Sequence, residues 1–133
     1  MTTPDARFIA DDFWKRLQTG DRQGVLDLLA DEVDWFVPGD SALVPWAGQR
    51  TTKAEVEAFL GLLGGAMSPQ ENQVHQIIVD GPDAIITGFF RHAVRATGNL
   101  FNSPYALHIR VQDGKVVRYH IYEDTQALVV ALA

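Results

Sequence analysis

Over residues 8–19 the apolar positions return every three or four residues. Ile9, Phe13 and Leu17 lie four apart, and Ala10, Trp14 and Leu17 share their side. That period predicts an amphipathic helix ended by Gly20. Asp21 is placed to cap a second helix, running to about Ala30 and carrying Val25, Leu26, Leu28 and Leu29. Residues 33–37 read as a strand stopped by Pro38-Gly39, followed by a loop that holds Trp46. Thr52-Lys53-Ala54-Glu55 has the form of a capping box and opens a third helix. Val56, Phe59, Leu60 and Leu63 occupy one side of it, and Gly64-Gly65 with Pro69 are expected to close it. From Glu71 the pattern turns to β. Asp80-Gly81-Pro82-Asp83, Thr97-Gly98 and Asp113-Gly114 are turn signals that predict a four-stranded antiparallel meander. Two of its strands exceed the usual length of about 5–6 residues, so the sheet should curl, with Gly88 and Pro104 as bend points. Residues 125–132 predict a short final helix. The expected class is α+β, one domain over 1–133, with helices covering one face of a curved antiparallel sheet.

Directly opposed residues of an antiparallel pair lie on one face. Counting outward from the turns sets Gln73 against Phe90, His75 against Gly88 and Ile77 against Ile86. It also sets Phe90 against Tyr105, His92 against Ser103 and Gly88 against Leu107. The last hairpin has two readings. A two-residue Asp113-Gly114 loop opposes Leu107 to His120; a three-residue loop opposes Leu107 to Tyr119, Ile109 to Val117 and Tyr105 to Ile121. The second matches apolar with apolar and is preferred. The inner face then includes Val111 and Glu123 as well, while Arg91, His108, Arg110, Arg118 and His120 face outward.

One end of that inner face is polar. His92, Ser103 and Glu123 are expected in one row, beside an aromatic row of Phe90 and Tyr105. An apolar cavity with polar groups at one end is the usual form of a small-ligand site, and Gly88 would leave room for the ligand. His92 is the candidate general base and Glu123 its partner across Ser103, or itself the acid. Tyr105 and Tyr119 are candidate hydrogen-bond donors to a substrate oxygen. Trp14, Trp35, Val37, Trp46, Phe59, His75, Phe90, Ser103, Leu107 and Ile121 are the expected ligand-contacting wall, with Trp46 able to act as a lid and Asp40 near the mouth. The plain alternatives are core aromatics with bonded hydroxyls, a strand-end salt bridge at Glu123 and a turn role for Asp40. A serine-hydrolase reading of Ser103 lacks a G-x-S-x-G elbow.

Charge narrows the partners. A net charge of −6 and a pI near 5.0, with scattered basic residues, argue against nucleic acid. No apolar run approaches the ~20 residues of a membrane span, and the M-T-T-P-D-A-R start has no hydrophobic leader. The chain has no cysteine, hence no thiolate chemistry. A cytoplasmic location is expected. Four histidines without metal-ligand spacing predict no metal site, and Gly64-Gly65 is not followed by the Lys-Ser/Thr of a phosphate loop. No cofactor is expected.

The order helix–helix–strand–helix–meander resembles the nuclear transport factor 2-like superfamily of cone-shaped α+β domains, and within it the SnoaL-like and ketosteroid isomerase-like group. The resemblance covers nearly the whole chain. It rests on Gly20-Asp21, on V-D-W-F-V-P-G followed by P-W-A-G, on the capped helix ending A-F-L, and on A-T-G, D-G-K-V-V and Y-E-D-T. It implies a homodimer through the outer sheet face. Residue by residue it transfers little chemistry. The isomerase base falls at Val37, the oxyanion tyrosine at Phe13 and the second oxyanion acid near Leu107. The last-strand acid of the cyclases and of limonene-type epoxide hydrolases falls at Ile121, and the second epoxide-hydrolase Asp falls at His92. The leading expectation is therefore cofactor-free acid/base isomerisation, cyclisation or dehydration of an apolar carbonyl-bearing or polycyclic substrate. A non-catalytic protein binding an apolar small ligand is the alternative, and an assembly domain with a vestigial pocket is a third.

Overall fold

A computed structural model describes residues 5–133; residues 1–4, part of the start read above as lacking a leader, lie outside the described residues. The elements are α1 (Ala6–Gln18), α2 (Arg22–Leu28), β1 (Leu29–Val37), β2 (Gly48–Thr52), α3 (Lys53–Ala66), β3 (Met67–Asp80), β4 (Asp83–Val94), β5 (Leu100–Gln112), β6 (Lys115–Glu123) and α4 (Thr125–Leu132). The fold is α+β, as expected, with a curved, unclosed sheet and the helices against its inner face. The sheet has six strands in the order β2-β1-β6-β5-β4-β3. The meander supplies four of them, and β1 joins its end by pairing in parallel with β6.

The helix starts follow local chemistry. Asp5 and Asp21 accept hydrogen bonds from the Phe8 and Gly24 amides and cap α1 and α2. Thr52 caps α3 by accepting from the Glu55 amide at 3.2 Å, and the Glu55 carboxylate reaches back to the Thr51 amide at 3.1 Å. Several boundaries depart from the expectation, β3 among them, which starts at Met67 rather than Glu71. α2 ends at Leu28 because β1 already starts at Leu29, and α3 runs through Gly64-Gly65 to Ala66. Pro69 lies inside β3, an edge strand, where a missing amide costs no interior ladder bond. The segment after β1 is not all loop, since residues 48–52 return to pair with β1 as β2.

Bulges decide which side chains face inward. Near the Gly81 turn Ile77 opposes Ile86 as expected, but the register shifts between Val74 and Gln76. His75 is the extra residue. It is exposed, so its expected place on the inner face is wrong. Beyond it the opposite set of β3 residues turns toward the core, and Asn72 rather than Gln73 opposes Phe90. A second shift between Pro69 and Glu71 turns Pro69 and Met67 inward again. The last hairpin combines the two readings. Asp113 and Gly114 both have positive φ, 52° and 73°, and form a two-residue turn. A shift next to Arg110 then opposes Leu107 to Ile121, Ile109 to Tyr119 and Tyr105 to Glu123. Val116 is consequently fully buried where Val117 was expected.

Between β4 and β5 the register differs from the expected one by two residues, which keeps the faces but moves the rows. Phe90 opposes Ser103, Gly88 opposes Tyr105, and His92 opposes Phe101. The expected row of His92, Ser103 and Glu123 therefore does not exist. The space at Gly88 is not left for a ligand either. It holds the Tyr105 phenol, whose hydroxyl accepts from Trp14 Nε1 at 3.1 Å and donates to Asn72 Oδ1 at 2.8 Å.

On the outer face His108 directly opposes His120, and Arg110 opposes Arg118. Like groups opposed across a ladder destabilise it unless each finds a counter-charge. Asp83 takes His108 at 2.8 Å and Arg110 at 2.8 and 3.1 Å, while Asp34 takes Arg118 at 3.0 Å and His120 at 2.8 Å. The Arg110 guanidinium, with His108 beside it, holds the Asp83 carboxyl at about 2 against a partial burial that raises it.

A β-carbon at residue 88 would run into the Gln73 carbonyl and lie 2.5 Å from the Tyr105 hydroxyl. The first is backbone and cannot swing away. Gly88→Ala should therefore cost about 1–3 kcal/mol in overpacking, measured by urea unfolding. An unchanged midpoint would show that the wedge is not tight.

Candidate functional site

The helices and the inner sheet face do not close completely on each other. Between them lies a cavity of about 240 Å³. Its wall is mostly apolar. Trp14 from α1, Val25 from α2, Val37 from β1, Phe59 and Leu60 from α3, and Ile121 from β6 all contribute. Trp46 is buried in the wall at 4% exposure. The exposed lining residues identify the mouth. They are Gly20, Asp21 and Arg22 at the α1–α2 turn and Gly64, Pro69 and Arg95 at the ends of α3, β3 and β4. Asp40, expected near the mouth, instead accepts a turn hydrogen bond from the Ala42 amide at 2.9 Å and does not line the cavity.

Three polar side chains of the candidate set reach the cavity: His92, Tyr119 and Glu123. Among the described residues, none makes a side-chain hydrogen bond to the Tyr119 hydroxyl or the Glu123 carboxylate, and the buried Nε2 of His92 also has no partner. His92 stacks on Phe90, ring centroids 4.4 Å apart at 22°, and meets the edge of Phe101. Tyr119 stacks on Trp35 at 3.9 Å and 14°. The same burial acts oppositely on the two ionisable types. It pushes the Glu123 carboxyl up to about 7 and the His92 imidazole down to about 4. Burial, with the nearby Glu123 charge, raises the Tyr119 phenol as well, so it stays a neutral donor.

His92 and Glu123 face one cavity but do not touch. Their rows are four residues apart along the strands, roughly 13 Å of backbone, and their strands are separated by β5. The expected alignment of His92 by Glu123 across Ser103 is thus absent. Ser103 is fully buried and structural: its Oγ donates to the Pro104 carbonyl at 2.6 Å and accepts from the Asp124 amide at 2.9 Å, which seats the cap of α4. Tyr105 is occupied by Trp14 and Asn72 and does not line the cavity. Trp35 and Leu107 lie behind the wall, fully buried, and His75 is on the surface. Of the other residues named for the wall, Trp14, Val37, Trp46, Phe59, Phe90 and Ile121 line the cavity.

Sequence reasoning missed the mouth. Arg22 and Arg95 were read only as scattered charge, Met67 and Pro69 were placed at the close of the third helix rather than in a strand, and Phe101 was not assigned to the wall. The Gly20-Asp21 break between two amphipathic helices was the available signal for the α1–α2 side. Among the described residues no three His, Cys, Asp or Glu side chains gather to hold a metal ion. No helix there is long and apolar enough to cross a membrane.

Solved structures with the same architecture include a nuclear transport factor 2-like protein from Burkholderia xenovorans LB400. It is 26% identical, with 100% of this chain and 99% of that one covered and a TM-score of 0.86. A protein provisionally assigned as a polyketide cyclase from Pseudomonas putida KT2440 is 18% identical over 98% and 99% of the two chains, with a TM-score of 0.80. TerC, co-crystallised with polyporic acid, is 18% identical over 96% and 97%, with a TM-score of 0.82. No curated protein matches the chain. The family model of the SnoaL-like domain matches residues 10–119, most of the chain. With that match over the helices, the first strands and the meander that together build the cavity, the chain belongs to the SnoaL-like domain family.

Proposed function

We propose that the cavity binds an apolar, carbonyl-bearing small molecule and moves a proton on it without a cofactor. The observation that carries this reading is that His92 Nε2 is buried without a partner and that Tyr119 and Glu123 line the same apolar cavity. A buried polar atom without a partner costs free energy, and a ligand oxygen would supply one. Glu123 is the better proton carrier, because a carboxyl group near 7 can both give and take a proton at neutral pH. In an isomerisation its carboxylate takes a proton from the carbon beside the carbonyl and returns it to another carbon. The neutral Tyr119 hydroxyl, four residues back on the same strand, is a hydrogen-bond donor for a ligand oxygen that reaches it. In a dehydration the protonated form gives its proton to the departing hydroxyl. His92, held neutral by burial, is a weak base at neutral pH and serves as a hydrogen-bonding contact for the ligand. The separation of His92 from Glu123 favours one second reading, a protein that binds such a ligand without turning it over.

The two readings separate in deuterated water. A panel of β,γ-unsaturated and β-hydroxy ketones is followed by proton exchange and rearrangement in NMR. The enzyme should exchange α-protons of a bound member, and Glu123→Gln should slow this about 100-fold with binding little changed. Bound ketones that never exchange would remove the catalytic reading and leave the binding one.

The pH dependence of stability tests the cavity groups without any ligand. Glu123 titrates at about 7 folded against 4.5 ordinarily, so the folded state binds extra proton in between and stability falls as pH rises through that window. His92 titrates at about 4 folded against 6.5 ordinarily, so the unfolded state binds the extra proton and stability rises with pH there. Each slope is at most about 1.4 kcal/mol per pH unit, and the two oppose each other between 4.5 and 6.5. Relative to the parent protein, Glu123→Gln should gain stability with rising pH across that window, and His92→Gln should lose it. Parallel profiles for all three proteins would contradict the burial of both groups.

We also propose that two copies meet through the outer sheet face. Ile78 and Tyr122 stand 52% and 57% exposed there beside the Asp-bound histidines and arginines. Analytical ultracentrifugation at micromolar concentration should give a dimer, and Tyr122→Arg a monomer. A monomeric parent protein would remove this assembly.

A further inference from the structure

The cavity is apolar inside, but its rim is cationic. Arg16, Arg22 and Arg95 all line it, three of the 11 Lys and Arg residues of a chain whose net charge is −6. They are not equivalent. Arg16 is consumed by Asp12, with two contacts of 3.1 Å, and by the Gly24 carbonyl at 2.8 Å. Arg95 spends only its Nε, on the Gly64 carbonyl at 3.0 Å, which anchors the stem and leaves both terminal nitrogens without a partner among the described residues. The Arg22 side chain makes no hydrogen bond or ion pair with any described residue. Both are exposed, and both line the cavity. The one carboxylate on the rim, Asp21, is engaged in capping α2 through the Gly24 amide at 3.0 Å.

We infer that the ligand is amphipathic: an apolar, ring-sized body that fills the cavity and one acidic group, a carboxylate or an acidic enol or phenol, held at the mouth between Arg22 and Arg95. This rests on the proposed small-molecule pocket and specifies its ligand. The orientation follows from desolvation. A ligand anion driven inward would lose water and meet the Glu123 carboxyl, with no cation inside to offset either cost. At the mouth it keeps part of its hydration and gains two guanidinium groups, which suit planar oxyanions. The neutral, carbonyl end then points inward to Tyr119 and Glu123. The acidic group would be the handle that sets the reacting end at depth, and the rim would select against neutral molecules of the same shape.

The test uses two probes of nearly equal shape, 2-naphthoate and 2-acetonaphthone, titrated calorimetrically into the parent protein and into the Arg22→Gln/Arg95→Gln double variant. The parent should bind the carboxylate about tenfold more tightly than the ketone, the size of one charge-assisted hydrogen bond near solvent. That preference should vanish in the double variant and in molar salt, with ketone affinity unchanged within about twofold. Equal affinities in the parent protein, or a preference that survives in the double variant, would overturn the anionic handle while leaving the pocket reading intact. Failure of both probes to bind the parent protein would overturn the pocket reading and this inference with it. Both arginines are exposed and remote from the core, and matching melting curves would show that the double variant remains folded.

Discussion

The Tyr105 phenol can lie against the sheet only because residue 88 has no side chain, and much of the inner architecture follows from that one accommodation. The hydroxyl sits at the meeting point of three elements. It accepts a hydrogen bond from Trp14 on α1 and donates one to Asn72 on β3, while the ring belongs to β5. A helix and the edge strand of the sheet are thereby tied to one side chain. The Trp14 and Tyr105 rings also lie 5.2 Å apart, so the hydrogen bond and the aromatic contact hold α1 in the same position. With α1 fixed, the cavity is confined to the space between Trp14, α3 and the far ends of β4 and β6.

Within that space burial does the electrostatic work. A carboxyl and an imidazole face the same apolar walls, and each is driven toward its neutral form. Neither is rescued by the other, because the register sets them two rows and two strands apart. Proteins usually pair buried polar groups. Leaving His92 Nε2 buried and unpaired at the cavity is a cost with no compensation inside the chain. The outer face shows the contrast, since there each histidine and arginine of the opposed pairs has its aspartate.

The elements were legible because they depend on short-range chemistry: caps at Asp21 and Thr52, glycine turns at Gly81, Gly98 and Gly114, and strand alternation. The class followed from the order of helices and turns, the facing of His92 from parity, and that of Tyr119 and Glu123 from matching apolar with apolar across the last hairpin. What failed was register. One extra residue at His75 reversed the facing of β3, hiding Asn72 and exposing His75. A two-residue difference across the 94–99 connection kept every face yet moved His92 away from Ser103. Bulges leave no compositional mark, because the ladder on either side of them reads as ordinary alternation. The rim was illegible for another reason. Arg22 and Arg95 are 73 positions apart in the chain and come to line one cavity only through the fold.

The chain has three tryptophans, and none is on the open surface. Trp14 and Trp46 form cavity wall, and Trp35 lies flat against the cavity-lining Tyr119 with its own indole N–H buried and unpartnered. All the indole emission of this protein therefore originates within one ring of the cavity. The intrinsic fluorescence is in effect a local probe of what fills that space, with no exposed tryptophan to dilute its signal.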